Sequence, residues 1–239
     1  MKTRLIITGG ATGLGKALAL SYASNLGANL QICIADINAE RAAITISELQ
    51  ALKADAFFYA CDITKQADVE GLCDIIKIKW QGVDIVINNA GVATGGSLEG
   101  ESLDQWQWIM DINLLSMVRV CQTFYPLFKQ QGNGYFINVA SQAGLTPIPF
   151  MSSYNAVKAA VIGFSETLKL ELAYDNIDVS VVCPSFFKTN LDESMRTSEP
   201  AMQTMLNRAF ERSPINAEQV ADIIYKQSLK RPFLILTHK

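Results

Sequence analysis

Histidine is nearly absent from this chain of 239 residues, because His238 is the only one. One histidine beside the C-terminus argues against a histidine base and against a histidine-ligated zinc site. Cysteine is also sparse, and Cys33, Cys61, Cys73, Cys121 and Cys183 show no Cys-x-x-Cys spacing. Scattered cysteines in odd number favour buried thiols in a reducing compartment over a disulfide scaffold. We therefore expect no metal site and no disulfide framework.

Excess basic charge and long hydrophobic segments are also lacking. The chain has 20 Lys and Arg against 23 Asp and Glu, a formal net charge of −3, which gives nucleic acid no basic face. No segment approaches the ~18–20 apolar residues of a membrane span. The apolar start ends at Gly9 and Gly10, too early for a signal peptide. We expect a cytoplasmic protein with no nucleic-acid or membrane partner.

Short apolar runs alternate with helical patterns along the whole chain. The runs resemble strands buried on both faces and cover 4–9, 29–35, 56–60, 84–88, 134–140, 179–183 and 233–236. The βαβ alternation predicts an α/β fold of Rossmann type, doubly wound, with a mostly parallel seven-stranded sheet and helices on both faces. No linker or repeat divides the chain, so we expect one domain over 1–239.

A glycine-rich turn follows the first predicted strand. The segment Thr8-Gly9-Gly10-Ala11-Thr12-Gly13-Leu14-Gly15 leads into a helical stretch. Its spacing, Gly-x-x-x-Gly-x-Gly, is one residue longer than the common dinucleotide fingerprint. Glycines here permit a tight turn and let backbone N–H groups approach a pyrophosphate at the helix N-terminus. The turn alone could be a simple connection, but its place between a strand and a helix favours nucleotide binding.

Asp36 closes the second predicted strand, about 20 residues after the turn. A carboxylate at this position accepts hydrogen bonds from the adenosine ribose and repels a 2′-phosphate. No basic residue lies in the turn or directly after Asp36, and we assign Arg41 to the solvated face of the next helix. The pattern therefore favours NAD over NADP.

Tyr154 and Lys158 are four residues apart on a helix predicted over 154–172, so they share one face. A free tyrosine has a pKa of about 10. A nearby ammonium, together with the positive charge of an oxidised nicotinamide, favours the phenolate, so we expect a lowered pKa for Tyr154. Tyr154 can then exchange a proton with an alcohol or ketone as hydride moves to or from the cofactor. An isolated pair more often shares a solvated face by chance, and only the glycine turn favours this chemistry.

In their order and spacing, these motifs resemble the short-chain dehydrogenase/reductase family over essentially the whole chain. The matching segments are 8–15, Asp62, Asn88-Asn89-Ala90-Gly91, Asn113, Ser141, Tyr154-Asn155-Ala156-Val157-Lys158 and Pro184-Ser185-Phe186-Phe187-Lys188-Thr189. Ser185 departs from the family, which usually has glycine after this proline. Singly, Ser141 could cap a turn and Asn89 could form one, but together the residues favour catalysis.

The resemblance implies a compact NAD(P)-dependent enzyme acting on CH–OH groups, with the catalytic residues Asn113, Ser141, Tyr154 and Lys158. Ser141 would hydrogen-bond the substrate oxygen, Asn113 would hold a water that relays protons, and Lys158 would also bind the nicotinamide ribose. Asp62 and the backbone of Ile63 would contact adenine, and Thr189 would orient the carboxamide. The implied cofactor-binding residues are Gly9, Thr12, Gly13, Leu14, Gly15, Asp36, Asp62, Ile63, Asn89, Ala90, Gly91, Tyr154, Lys158, Pro184, Phe187 and Thr189.

Apolar side chains dominate the segments expected to border the substrate. They are Leu145, Ile148, Phe150, Met151, Phe186, Phe187, Leu191, Met195, Met202, Met205, Leu206 and Phe210. Such a wall favours a largely apolar secondary alcohol or ketone, although several members could instead belong to the core. Arg196, Arg208 and Arg212 could instead bind an acyl or phosphate group, but acidic residues are interspersed among them. The predicted turn at 197–200 suggests a lid over about 189–214.

Two helices carry apolar residues around their whole circumference, over 103–128 and over 156–164. Their second faces are expected to meet another subunit in a homodimer or homotetramer, which the family resemblance also implies. Three other functions remain open. They are an NADP-preferring ketone or 3-oxoacyl reductase, an isomerase or epimerase working through transient oxidation, and a non-catalytic dinucleotide-binding regulator, which would lack part of the catalytic set.

Overall fold

The computed structural model describes residues 2–187, 195–197, 199, 204 and 213–238. Its strands are β1 (Thr3–Thr8), β2 (Leu30–Asp36), β3 (Asp55–Ala60), β4 (Ile85–Asn88), β5 (Thr94–Gly95), β6 (Gly134–Val139), β7 (Ile177–Cys183), β8 (Arg196–Thr197) and β9 (Leu234–Leu236). Its α-helices are α1 (Gly13–Leu26), α2 (Ala39–Ala51), α3 (Gln66–Trp80), α4 (Leu103–Met110), α5 (Ser116–Gln131), α6 (Ser152–Leu172) and α7 (Ala217–Ser228). All seven strands predicted from the sequence are present with small shifts at their ends.

Seven strands form one parallel sheet in the order β3-β2-β1-β4-β6-β7-β9. Strand β1 pairs with β2 on one side and with β4 on the other, so the strand order reverses there. In folds of this kind ligands bind outside the carboxyl ends of the strands at the point of reversal. The predicted doubly wound α/β fold is confirmed, and it brings the segments after β1 and β4 together.

Helices cover both faces of the sheet. Leu5 and Ile7 of β1 belong to the core formed with α1 and α7, whereas Ile6 points into the core formed with α3 and α5. When helices cover both faces of a strand, none of its side chains faces water. This explains why the central strands are unbroken apolar runs in the sequence. All six residues of β6 are buried, for example.

The helix predicted over 103–128 is interrupted in the structure. Residues Asp111–Leu115 form a π-helical turn between α4 and α5, and α5 continues to Gln131. The side chain of Asn113 lies at the centre of this turn and bonds to Val92 instead of facing solvent. A single wide turn of this kind is typical of functional sites.

Strands β5 and β8 form a separate parallel pair, which the sequence analysis did not predict. Thr197 therefore lies in a strand, whereas the sequence indicated a turn. Most of the lid predicted over about 189–214, and also Thr189, lie outside the described residues. The single domain over 1–239 and its lid stay predictions.

All five cysteines are buried and unpaired, including those that the sequence places in strands. Across the described ranges, no helix combines the length and the apolar character needed to cross a membrane.

Candidate active site

A cavity of about 760 Å³ opens at the carboxyl ends of the parallel strands. Most of the predicted site residues line it, namely Gly9, Thr12, Gly13, Leu14, Asp36, Asp62, Ile63, Asn89, Ala90, Gly91, Ser141, Tyr154, Lys158, Pro184 and Phe187. Gly15 and Asn113 lie behind the wall. The segments after six strands of the sheet thus converge on one space, although they are far apart in the sequence.

The glycine turn after β1 has the backbone that its sequence predicts. Gly9 and Gly13 have φ angles of +63° and +54°, a region that other residues rarely adopt. A Cβ on Gly9 would lie 2.7 Å from the Cα of Ala90. A Cβ on Gly15 would collide with the carbonyl of Gly9, so this glycine lets α1 pack against the turn.

The N-terminus of α1 faces the cavity. Thr12 is its N-cap residue and makes no side-chain cap hydrogen bond, while Gly13 and Leu14 of the first turn line the cavity. First-turn N–H groups have no partner within their own helix and attract anions. The residues present therefore fit the diphosphate of a dinucleotide.

Asp36 lies at the wall with both carboxylate oxygens fixed by the backbone. One oxygen accepts from the N–H of Ala11 at 3.0 Å, and the other accepts from the N–H of Asn38 at 2.9 Å. Arg41 is exposed, as expected, but it also lines the cavity. Its backbone N–H donates to the side chain of Asn38, the N-cap of α2. The sequence analysis did not place a cation at this wall.

Asp62 is held by its neighbours at the same end of the cavity. Its side chain accepts from the hydroxyl of Thr64 at 2.6 Å and from the N–H of Thr64 at 3.0 Å. These bonds, with the nearby ammonium of Lys65, lower the pKa of Asp62 against the opposing effect of burial. Ile63 beside it is buried.

Ser141, Tyr154 and Lys158 meet at the centre of the cavity, from the end of β6 and from α6. The ammonium of Lys158 donates to the carbonyl of Val139 at 3.1 Å and lies 5.7 Å from the centre of the Tyr154 ring. Ser141 accepts from the N–H of Ala143 at 3.1 Å and is also hydrogen-bonded to the phenol of Tyr154. Ser141 therefore caps a turn and also contacts the phenol of Tyr154.

Without a bound cofactor, burial shifts the pKa values of both Tyr154 and Lys158. It raises the pKa of Tyr154, although the hydrogen bond with Ser141 works in the opposite direction. Burial also lowers the pKa of Lys158 to about 8, against a smaller opposing effect of Cys183. In the protein alone, desolvation of the phenolate outweighs the hydrogen bond with Ser141. The predicted lowering of the Tyr154 pKa includes the charge of an oxidised nicotinamide and stays a prediction.

Asn113 is 1% exposed, and both polar atoms of its side chain bond to the backbone of one residue, Val92. Its carbonyl oxygen accepts from the N–H of Val92, and its amide nitrogen donates to the carbonyl of Val92, each at 2.8 Å. A Cβ on Gly91 would lie 3.2 Å from the Asn113 oxygen and 3.7 Å from the Lys158 nitrogen. Asn113 thus anchors the segment after β4 next to Lys158, and its role in a water relay stays a prediction.

The end of the cavity that we expect to bind the substrate, here called the substrate end, is lined mainly by apolar side chains. Ile148, Met151, Phe186, Phe187 and Met195 line it as predicted, whereas Leu145 and Phe150 are exposed and do not. Leu191, Met202, Met205, Leu206 and Phe210 lie outside the described residues. Thr146, Pro147 and Pro149 also line the cavity, within the segment 143–153 that the sequence predicts to border it, whereas sequence reasoning missed Val92, Ala93 and Gln142. Nothing in their local pattern distinguishes them from ordinary loop residues.

Arg196 does not line the cavity. Its guanidinium lies 3.7 Å from the centre of the Trp108 ring. The backbone N–H of Arg196 donates to the carbonyl of Ala93 at 3.1 Å. Arg196 therefore stacks on Trp108 outside the lining of the cavity where an acyl or phosphate group was considered. Arg208 and Arg212, which were considered for the same role, lie outside the described residues.

Ser185 takes the place of the expected glycine without a left-handed backbone. Its N–H donates to Nδ1 of His238 at 3.3 Å, so the only histidine packs behind the cavity wall. Burial lowers the pKa of His238, and a hydrogen bond with the backbone of Phe186 opposes this shift.

Comparison with known proteins gives consistent relatives. The family model for short chain dehydrogenases matches residues 3–200. The CLA biosynthesis dehydrogenase/reductase of Lactiplantibacillus plantarum is 32% identical over 98% of this chain and 87% of its own length. The 3-oxoacyl-(acyl-carrier-protein) reductase FabG of Thermotoga maritima is 31% identical over 92% of this chain and 87% of its own length.

A solved structure of similar shape is the short chain dehydrogenase/reductase from Burkholderia phymatum in complex with NAD. It is 29% identical, with a TM-score of 0.91 over 99% of this chain and 89% of the Burkholderia chain.

Proposed function

The chain belongs to the short-chain dehydrogenase family, and on this premise we propose that it interconverts a largely apolar secondary alcohol and its ketone with a nicotinamide dinucleotide. The observation that supports this proposal best is the convergence of Ser141, Tyr154 and Lys158 in the cavity that also contains the glycine turn. Proton transfer and dinucleotide binding thus share one space. A nicotinamide bound there supplies or accepts the hydride.

Tyr154 is the proposed general acid and base. Because burial raises its pKa, Tyr154 is protonated at neutral pH and can donate a proton to a ketone oxygen. In the opposite direction it must accept a proton, and the Ser141 hydrogen bond and the Lys158 ammonium both favour the phenolate. With a pKa of about 8, Lys158 keeps most of its charge at pH 7.

We propose NAD as the preferred cofactor, because the fixed carboxylate of Asp36 lies where a 2′-phosphate would be repelled. The structural relative from Burkholderia phymatum was solved with NAD. The second candidate is an NADP-dependent 3-oxoacyl reductase, because Arg41 lines the cavity beside Asp36 and one relative is a FabG.

An apolar substrate is supported by the described lining of the substrate end. Between Val92 and Met195 this lining contains aliphatic, thioether, proline and aromatic groups. Its polar members are Ser141, Gln142, Thr146, Tyr154, Lys158 and Ser185. Apolar walls with a few polar groups bind ligands mainly by excluding water. Along a homologous ketone series, each buried methylene should add up to roughly 0.8 kcal/mol to transition-state binding. Equal kcat/KM along the series, or strong preference for a small anion, contradicts this assignment.

We further propose a homodimer or homotetramer in the cytoplasm. On α6, Leu170 is 67% exposed, and the small residues Ala156, Ala159 and Gly163 are exposed further along the same helix face, which suits close packing of a second subunit. Five buried, unpaired thiols agree with a reducing compartment. A monomer mass by light scattering at micromolar concentration contradicts the assembly.

The decisive experiment screens the purified protein against alcohols and ketones with NAD and NADP in parallel. The Tyr154→Phe variant should lose more than nine-tenths of kcat and still bind NAD, because only the transferable proton is removed. Tyr154→Phe with most of its turnover means that the base is wrongly assigned. Tight NAD binding with no turnover of any compound by the unmodified protein favours the non-catalytic regulator. Interconversion of isomers without net redox change favours an isomerase or epimerase.

A further inference from the structure

Helix α6 carries Tyr154 and Lys158, yet it begins without a cap of its own. Its N-cap residue is Met151, which makes no side-chain cap hydrogen bond, and its first turn contains no acidic residue. The N–H groups of a first turn need partners from outside the helix.

Glu101, 52 residues earlier, provides this partner. Its carboxylate accepts from the N–H of Ser153 at 3.2 Å and from the hydroxyl of Ser153 at 2.8 Å. The side chain of Gln105 donates to the same carboxylate at 3.3 Å. Glu101 is only 7% exposed, so these three donors replace the hydrogen bonds that water would make to its carboxylate.

A second hydroxyl extends the contact to β5. Thr94 and Ser153 lie 2.6 Å apart between their hydroxyl oxygens, and both residues are fully buried. A carboxylate only accepts, so the single hydroxyl hydrogen of Ser153 goes to Glu101, and Thr94 donates to Ser153. The N–H of Gly96 also donates to the carbonyl of Phe150 at 2.8 Å. The segment 94–101 therefore holds the start of α6 at several points.

We propose that Glu101 is a positioning residue, whose buried carboxylate fixes the first turn of α6 and thereby sets Tyr154 against Ser141 and the substrate oxygen. Glu101 does not line the cavity, so it acts through Tyr154 and touches no substrate. Ser153 directly precedes Tyr154, so a displacement of the first turn of α6 also moves the phenol of Tyr154. The inference rests on the proposed role of Tyr154 as acid and base.

The test is Glu101→Gln. The two Ser153 donors approach different carboxylate oxygens, so one of them must face the amide NH₂ in the variant. We expect kcat to fall by about 10- to 100-fold, the usual range for a displacement near 1 Å. The Kd for the dinucleotide should stay within about twofold, because the glycine turn and Asp36 lie on β1 and β2 and remain in place.

The pH profile distinguishes positioning from a general loss of stability. The hydrogen bond with Ser141 lowers the pKa of Tyr154, so a displaced phenol loses this effect. The rising limb of kcat for alcohol oxidation should therefore move to higher pH in Glu101→Gln. Loss of folded protein alone would reduce the amplitude without moving the limb.

Matched variants complete the design. Glu99→Gln changes an exposed carboxylate two residues away and should keep the activity of the unmodified protein. Thr94→Val removes one donor at equal size and should lower kcat severalfold, whereas Thr94→Ser keeps the donor and should retain kcat. This pair tests the contact even if Glu101→Gln fails to fold.

Ser153→Ala combined with Glu101→Gln should lose no more kcat than the worse single variant, because both break one contact. Activity of Glu101→Gln within twofold of the unmodified protein, with Tyr154→Phe inactive, overturns this inference and leaves the proposed function intact. Equal falls of kcat in Thr94→Ser and Thr94→Val overturn it as well. An active Tyr154→Phe overturns the proposed function first.

Discussion

Lys158 carries an ammonium group into a site where it is 5% exposed, with the Val139 carbonyl as its hydrogen-bond acceptor. Burial lowers its pKa from 10.5 to about 8, so the charged form is disfavoured by folding. Tyr154 shows the same effect with the opposite sign, because burial favours its neutral phenol. Neither the ammonium of Lys158 nor a phenolate at Tyr154 is therefore stabilised by burial.

At the residue scale, Lys158→Met should increase stability at pH 7 while it abolishes turnover. The unfolded chain binds one more proton than the folded protein between pH 8 and 10.5, so the stability of the unmodified protein rises with pH in that window. The variant should gain up to about 3 kcal/mol at pH 7, and the gain should vanish above pH 10.5. Urea unfolding at several pH values measures it. A less stable variant at pH 7 contradicts the assigned burial cost.

Asp36→Asn should change the cofactor preference. The variant keeps one oxygen for the Ala11 N–H but loses the charge that repels a 2′-phosphate beside Arg41. We expect weaker NAD binding by about 1–3 kcal/mol and a higher ratio of NADP to NAD affinity. Titration with both dinucleotides measures the ratio.

The control for this change is Asp55→Asn, which removes an equal charge from β3 away from the cavity and should leave the ratio unchanged. An unmodified protein that binds NADP tenfold better than NAD contradicts our interpretation of Asp36.

At the element scale, the position of Ser141 depends on how closely its turn approaches α6. A Cβ on Gly144 would lie 2.7 Å from the carbonyl carbon and oxygen of Lys158 and 2.9 Å from the nitrogen of Ala159. These are backbone atoms of a helix and cannot move separately. Gly144 therefore permits the contact between Ser141 and Tyr154, although it does not line the cavity.

Gly144→Ala should push the turn away from α6. We expect a loss of about 1–3 kcal/mol in stability from overpacking, and a lower kcat as Ser141 moves from Tyr154. Thermal unfolding and kinetics at saturating substrate measure the two effects. A variant with unchanged kcat would mean that Ser141 need not be held so closely.

Gly163→Ala is the matched control on the same helix. Nothing lies within 4 Å of its added Cβ, so we expect a gain of about 0.5–1 kcal/mol from helix propensity. The mass of each variant should be measured too, because Gly163 belongs to the proposed subunit contact.

For the whole molecule, the buried thiols set the behaviour at high pH. Burial raises the pKa of Cys61 to about 12 and that of Cys183 to about 11, and it raises those of Cys33, Cys73 and Cys121 as well. The folded protein thus keeps five protons that the unfolded chain loses above the ordinary thiol pKa of 9.0.

Stability should therefore fall by several kcal/mol as the pH rises from 9 to 10.5, since each retained proton costs about 1.4 kcal/mol per pH unit. Lys158 opposes this fall, because in the same pH range the unfolded chain binds one more proton at this residue than the folded protein does. Unfolding in urea under reducing conditions measures the slope. Cys121→Ala should make the slope shallower by one proton, and an equal slope in this variant contradicts the burial effect.

The sequence by itself determined the order of elements and the positions of the main motifs. Hydrophobic periodicity is a local property, so the seven strands of the sheet could be read from runs of four to seven residues. The glycine turn and the Tyr154–Lys158 pair were also visible, because each is fixed by short spacings along the chain. Parallel pairing then follows from the helices between strands.

Tertiary structure alone decided the features that depend on distant contacts and on burial. The contact of Glu101 with Ser153 spans 52 residues, and the π-helical turn at Asn113 depends on Val92. The upward shift of the Tyr154 pKa in the protein alone comes from burial, because charge spacing along a helix contains no information about desolvation. The place of Arg41 at the cavity wall depends on how α2 packs beside β2. Each of these is set by the packing of elements that the chain brings together only when it folds.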